Sequence, residues 1–136
     1  MPELKKYKMF IDGEWVDSES KKTFETLNPE NNEPWAVAPE ASAKDVDKAV
    51  KAAQKAFEGE WPKLLPRDRA KFLRAIADQL RKNAEMLGEI ETIDTGKLFR
   101  ETKQQAIYIA EYYDYYAGLA DKVEGTVLPI DKPNVQ

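Results

Sequence analysis

Residues 66–97 read Pro-Arg-Asp-Arg-Ala-Lys-Phe-Leu-Arg-Ala-Ile-Ala-Asp-Gln-Leu-Arg-Lys-Asn-Ala-Glu-Met-Leu-Gly-Glu-Ile-Glu-Thr-Ile-Asp-Thr-Gly-Lys, and the spacing of their apolar side chains organises the rest of the chain. Phe72, Leu73, Ile76, Ala77 and Leu80 recur at i, i+1, i+4, i+5 and i+8. Leu87, Ile90 and Ile93 resume the stripe beyond a polar gap at Lys82 and Asn83. That period predicts one helix, or two in series, with a single apolar face. Pro66 suits the first turn, where its missing N–H would have no helical partner, and Gly96 suits a left-handed cap at the end.

The last turn of this stretch carries an electrostatic conflict. Glu91 and Asp94 lie at the negative end of the helix dipole, where a carboxylate is disfavoured by roughly 0.3–1 kcal/mol. A positive group is therefore expected beside them. Lys97 and Arg100 offer one in sequence, and a bound monovalent cation is the other reading. A hydrolase built on Glu91 and Asp94 is disfavoured, because residues three apart share a helix face but nothing around this pair suggests a cleft.

Composition narrows the function classes. The 136 residues (15.6 kDa) have room for one domain, and 34% charged residues of both signs beside 42% hydrophobic ones suit a soluble, folded chain. A net charge of −4 and a pI near 5.0 argue against a nucleic acid partner, whose phosphates are held by lysine and arginine. No apolar run approaches the roughly 20 residues that cross a bilayer. The opening Met-Pro-Glu-Leu-Lys-Lys lacks the apolar core of a signal peptide, so no membrane association and a cytoplasmic location are expected. The chain has neither cysteine nor histidine. Thiolate nucleophiles, serine–histidine triads, imidazole acid–base chemistry and the usual zinc sites cannot be built from these residues.

On the N-terminal side, Lys8 to Asp17 places two short apolar runs around Asp12-Gly13, the preferred pair for a two-residue hairpin turn. Thr23 to Leu27 alternates as a strand does and is stopped by Asn28-Pro29, and Trp35 to Pro39 reads as a further short strand. Ser42-Ala-Lys-Asp45 resembles a capping box. It opens a helical stripe of Val46, Ala49, Val50, Ala53 and Phe57 that Gly59 ends. On the C-terminal side, a helix from Leu98 can carry Thr102, Ile109, Tyr113 and Tyr116 on one side. Its run Tyr112-Tyr113-Asp114-Tyr115-Tyr116 cannot form one flat stacking platform, because neighbouring side chains on a helix point about 100° apart. Val123 to Ile130 reads as a strand without a visible partner. The six glycines fit no phosphate-binding loop. The expected fold class is α+β and mostly helical: a hairpin and short strands, three amphipathic helices and one C-terminal strand.

Taken in order, these landmarks resemble the N-terminal portion of the NAD(P)-dependent aldehyde dehydrogenases. The likeness rests on Phe10-Ile-Asp-Gly-Glu-Trp-Val16, Phe24-Glu-Thr-Leu-Asn-Pro29 and Lys44-Asp-Val-Asp-Lys-Ala-Val-Lys-Ala-Ala-Gln-Lys-Ala-Phe57. It continues through Trp61, Arg69-Ala70, Ala75-Ile-Ala-Asp78, Glu91-Thr-Ile-Asp-Thr-Gly-Lys97 and Tyr115-Tyr-Ala-Gly-Leu-Ala-Asp121. It runs from Tyr7 to Ile130 and is greatest to the betaine-aldehyde and related non-phosphorylating bacterial branch. The resemblance implies a fragment of an α/β enzyme, with residues 1–122 forming the N-terminal part of the coenzyme-binding domain. Residues 123–136 would start an arm, beginning at Val123, through which a homo-oligomer assembles. It also implies that an aldehyde is oxidised to a carboxylic acid with NAD or NADP, on a cysteine and a glutamate that lie outside these residues, so that the fragment itself is inactive. Many members hold a sodium or potassium ion between an early strand and the end of the second major helix. The matching positions here are Thr26, Leu27 and Asp94, where backbone carbonyls and a carboxylate can supply oxygen ligands. The alternative is a stand-alone helical module that binds a partner helix.

Overall fold

A computed structural model describes residues 4–127. The Asp12-Gly13 hairpin forms as expected: β2 (Met9–Ile11) pairs antiparallel with β3 (Glu14–Val16). Asp12 and Gly13 take φ of 52° and 84°, the double left-handed turn whose twist matches the flanking strands. The other strands form a separate sheet of order β1-β5-β4. In it, β4 (Thr23–Asn28) and β5 (Glu33–Pro39) are antiparallel neighbours, and β1 (Lys5–Lys6) adds to β5 in parallel. The turn from β4 to β5 is closed by the Asn32 N–H donating to the Asn28 carbonyl at 2.7 Å. The β4–β5 register slips at Thr26/Leu27, the bend that a bulge produces.

Helix α1 (Ala43–Glu58) starts on the expected capping box and stops at Gly59. A short 3₁₀ turn (Trp61–Lys63) leads to α2 (Pro66–Lys82), which has proline in its first turn. The polar gap at Lys82 and Asn83 then divides the long amphipathic stretch, so that four α-helices replace the three expected. Asn83 ends α2 and opens α3 (Ala84–Thr95), and its side-chain amide donates to the Gln79 carbonyl at 2.8 Å. Gly96 caps α3 at φ 74°, and α4 (Phe99–Leu119) follows. Among the described residues, no helix is long and apolar enough to cross a membrane.

The helical core is made of small residues. Ala70 and Ala77 on α2, Ala84 and Gly88 on α3, and Ala106, Ala110 and Ala117 on α4 are buried where α4 runs along both other helices. Small residues at the seam let the backbones approach closely. Of the expected stripe, Ala77 is buried and Leu73, Leu80, Leu87 and Ile90 are half-buried, whereas Phe72, Ile76 and Ile93 remain exposed, as do Val46, Val50 and Phe57 on α1. On α4 the buried side is Thr102, Ala106, Ala110 and Ala117, with Tyr113 half-buried. Ile109 and Tyr116, expected on that side, point outward because α4 presents its alanines to its neighbours. The strand expected over 123–130 does not form in its described part: residues 123–127 pair with no other strand, and Val123 and Val127 are almost fully exposed. Residues 128–130 lie outside the described residues, as does the rest of the expected arm.

Candidate functional site

Two places join distant parts of the chain through polar groups. The first is the end of α3. There the hydroxyl of Thr26 on β4 donates to Asp94 Oδ1 at 2.7 Å, across 68 residues of sequence. Lys97 Nζ answers Glu91 Oε1 at 2.6 Å, so the sequence-near cation resolves half of the conflict at this helix end. Asp94 is treated differently. Its partner is a neutral hydroxyl, and among the described residues it enters no salt bridge. The helix end is held close by Gly96, where an added Cβ would come within 3.1 Å of Pro29 Cγ on the strand side.

Of the three expected cation-site residues, Thr26 and Asp94 are thus brought into contact, and Leu27 follows Thr26 at the register shift of β4. The donor set is all oxygen with one formal negative charge, which suits a hard, weakly charged ion better than a transition metal. Among the described residues, no group of three or more carboxylates, histidines or cysteines could hold a metal ion. Oxygen donors of this kind are those an alkali ion takes, with carbonyls or water completing its shell.

The second place is the start of α1, and the sequence revealed only half of it. The capping box is local, but Asp45 also receives the Ser18 hydroxyl at 2.9 Å and the Glu19 N–H at 3.2 Å from the loop after β3 (Glu14–Val16). With the Ser42 N–H and hydroxyl, both at 2.8 Å, the buried carboxylate has four donor groups. The Ser42 backbone N–H first, then its hydroxyl, hold the Asp45 carboxyl well below the usual carboxylate range; burial works against them, and the Ser18 and Glu19 donors add to the lowering. Glu19 itself binds Lys44 and Lys48 at 2.9 and 3.1 Å on the surface. No spacing rule announces a serine 27 residues away as a partner; the buried Ser18 and the neighbouring Glu19 N–H opposite the helix cap become legible only in three dimensions.

Both places are polar joins between distant segments, in a chain whose helices are seated on alanines and whose large apolar faces are uncovered among the described residues. Comparison with known proteins gives the family. The sequence pattern of the aldehyde dehydrogenase family matches residues 15–136. A (Z)-2-((N-methylformamido)methylene)-5-hydroxybutyrolactone dehydrogenase of Acinetobacter baylyi is 44% identical over 98% of this chain and 27% of its own length. The betaine aldehyde dehydrogenase of Bacillus subtilis is 40% identical over 93% of the chain and 26% of its own. A crystal structure of Staphylococcus aureus betaine aldehyde dehydrogenase in complex with NAD+ superposes with a TM-score of 0.85 at 39% identity, covering 93% of this chain and 26% of that one. The chain belongs to the aldehyde dehydrogenase family and corresponds to its N-terminal portion. It spans about a quarter of the length of the relatives it matches.

Proposed function

We propose that these residues are the N-terminal scaffold of an enzyme that oxidises an aldehyde to a carboxylic acid with NAD(P)+, of the betaine-aldehyde-like bacterial branch, in the cytoplasm. The observation that carries this is the superposition on an NAD+-bound aldehyde dehydrogenase together with a chain that lacks cysteine. The coenzyme would accept the hydride of the aldehyde. Residues 1–122 belong to the coenzyme-binding domain, and the segment from Val123 begins the arm that joins subunits. The test compares the 136-residue chain with the polypeptide that its uninterrupted reading frame encodes. Only a longer polypeptide should form NAD(P)H when given aldehyde; turnover by the 136 residues alone would sink the assignment.

Thr26, Leu27 and Asp94 would hold a sodium or potassium ion that ties β4 to the end of α3. Its contribution should appear as a melting temperature about 3 °C higher in potassium or sodium chloride than in N-methylglucamine chloride of equal strength, which is what roughly 0.5–1 kcal/mol of linkage gives. Asp94→Ala should remove the difference between the salts. If Asp94→Ala melts with the same salt dependence as the parent chain, no ion is bound there.

A further inference from the structure

We infer that the depression beside the loop after β3 binds a small, doubly charged oxyanion of the phosphate class, a reading that stands apart from the dehydrogenase assignment. Tyr7, Asp17, Glu19, Lys21 and Lys22 are among the residues around a depression of about 450 Å³. Successive residues of an extended chain point to opposite sides, so adjacent lysines do not ordinarily serve one pocket. Here Lys21 takes φ 56°, in the left-handed region, and its N–H donates to the Ser18 carbonyl at 2.9 Å to close the turn. The Lys22 N–H donates in turn to the Ser20 hydroxyl at 3.2 Å. With the backbone so turned, both lysines border the same depression.

Charge selects the ligand. Of the two carboxylates in the lining, Glu19 is answered by Lys44 and Lys48, and Asp17 faces Lys8 at 3.9 Å. The buried Asp45 behind them is held by neutral serine donors. Lys21 and Lys22 enter no salt bridge among the described residues. Lys8, Lys21, Lys22, Lys44 and Lys48 thus meet only Asp17, Glu19 and Asp45 here, in a chain whose net charge is −4. The two unanswered ammonium groups match an anion that carries two charges on one small frame. Beside them, the Tyr7 hydroxyl is buried and has no hydrogen-bond partner among the described residues. A buried hydroxyl left unpaired is costly, and a phosphate oxygen can accept from a phenol and an ammonium alike. A divalent cation would instead need the carboxylates that the surrounding lysines already hold.

The experiment titrates the 136-residue chain with sodium phosphate at about pH 8, where phosphate is mainly doubly charged, with sodium chloride holding the ionic strength constant. The amide resonances of residues 17–23 are followed. Their shifts should saturate with a dissociation constant on the order of 10 mM, the scale set by two exposed charge pairs. Glycerol 1-phosphate forms the second arm. Saturation by both probes supports a site that admits a phosphate ester, and saturation by inorganic phosphate alone supports one for the free ion. Lys21→Gln and Lys22→Gln should each weaken binding at least about threefold, while Lys82→Gln, a lysine outside the lining, should bind as the parent does. Tyr7→Phe should weaken binding at least about twofold yet melt in chloride no lower than the parent, because the hydroxyl it loses leaves no partner behind. Circular dichroism checks that each variant is folded. Shifts that chloride alone reproduces, or that Lys82→Gln weakens as much as Lys21→Gln does, would make the loop a screened positive surface and overturn the inference. Binding indifferent to the two loop lysines, or unchanged in Tyr7→Phe, overturns it as well.

Discussion

Gly88→Ala should destabilise the chain by about 1–3 kcal/mol, although glycine-to-alanine changes inside exposed helices usually stabilise by close to 1 kcal/mol. The sign reverses because of what a methyl group would meet. A Cβ on Gly88 would lie 2.8 Å from the Lys103 N and 2.9 Å from its Cα, and both are backbone atoms that cannot rotate aside. Helices α3 and α4 would have to separate. That would strain the bond at 2.9 Å from the Thr102 hydroxyl to the Gly88 carbonyl, as well as the 2.9 Å contact between the Thr102 and Thr92 hydroxyls. Thr102 is fully buried, so its hydroxyl has no water to turn to. Gly118 supplies the control within the same bundle, since a Cβ there meets nothing within 4 Å. Gly118→Ala should raise stability by about 0.5–1 kcal/mol. Urea unfolding of the two variants would separate them by opposite shifts of the midpoint, and a stabilised Gly88→Ala chain would show that the crossing is looser than the distances state.

That crossing also shows where sequence reading reaches its limit. Periodicity located the helices, since Pro66, Gly59, Gly96 and the Ser42–Asp45 box sit at their ends as local rules require. The Asp12-Gly13 turn was legible for the same reason, because positive φ at both residues is a property of the dipeptide. Which face each helix would bury was less legible. A hydrophobic stripe ranks large residues first, and Phe72 and Ile76 therefore looked like core. The helices bury alanines against each other instead, because close approach rewards small size. The larger residues stay uncovered in this segment of a longer fold. The Thr26–Asp94 contact was half legible: the carboxylate at the negative end of α3 raised the question of a partner, but a contact that spans a strand and a helix follows from no spacing rule. Composition was legible only as exclusion: a chain without cysteine or histidine has neither a thiolate nor an imidazole to offer.

Asp45→Asn should lower the melting temperature at neutral pH, and the loss should shrink as the pH falls below about 4. In the folded chain the Asp45 carboxyl is held below its ordinary range, chiefly by the Ser42 N–H and hydroxyl. A carboxyl whose folded pKa lies below its unfolded value of about 3.9 contributes stability that is complete above that value and drains away as protons reach it in the unfolded state. Asparagine keeps one acceptor oxygen but no charge, and its NH2 would face donors from Ser18, Glu19 and Ser42. The parent chain should therefore lose its advantage over the variant in acid, where its own carboxyl begins to be neutralised. The nearby ionisable groups do not reproduce this profile. Glu19 is bound to Lys44 and Lys48 on the surface, where screening leaves such pairs with little effect on folding. Thermal melts of both chains at about pH 7 and about pH 3 decide the matter. A gap that persists unchanged in acid would mean that the loop after β3 is pinned to α1 by the shape of the side chain and not by its charge.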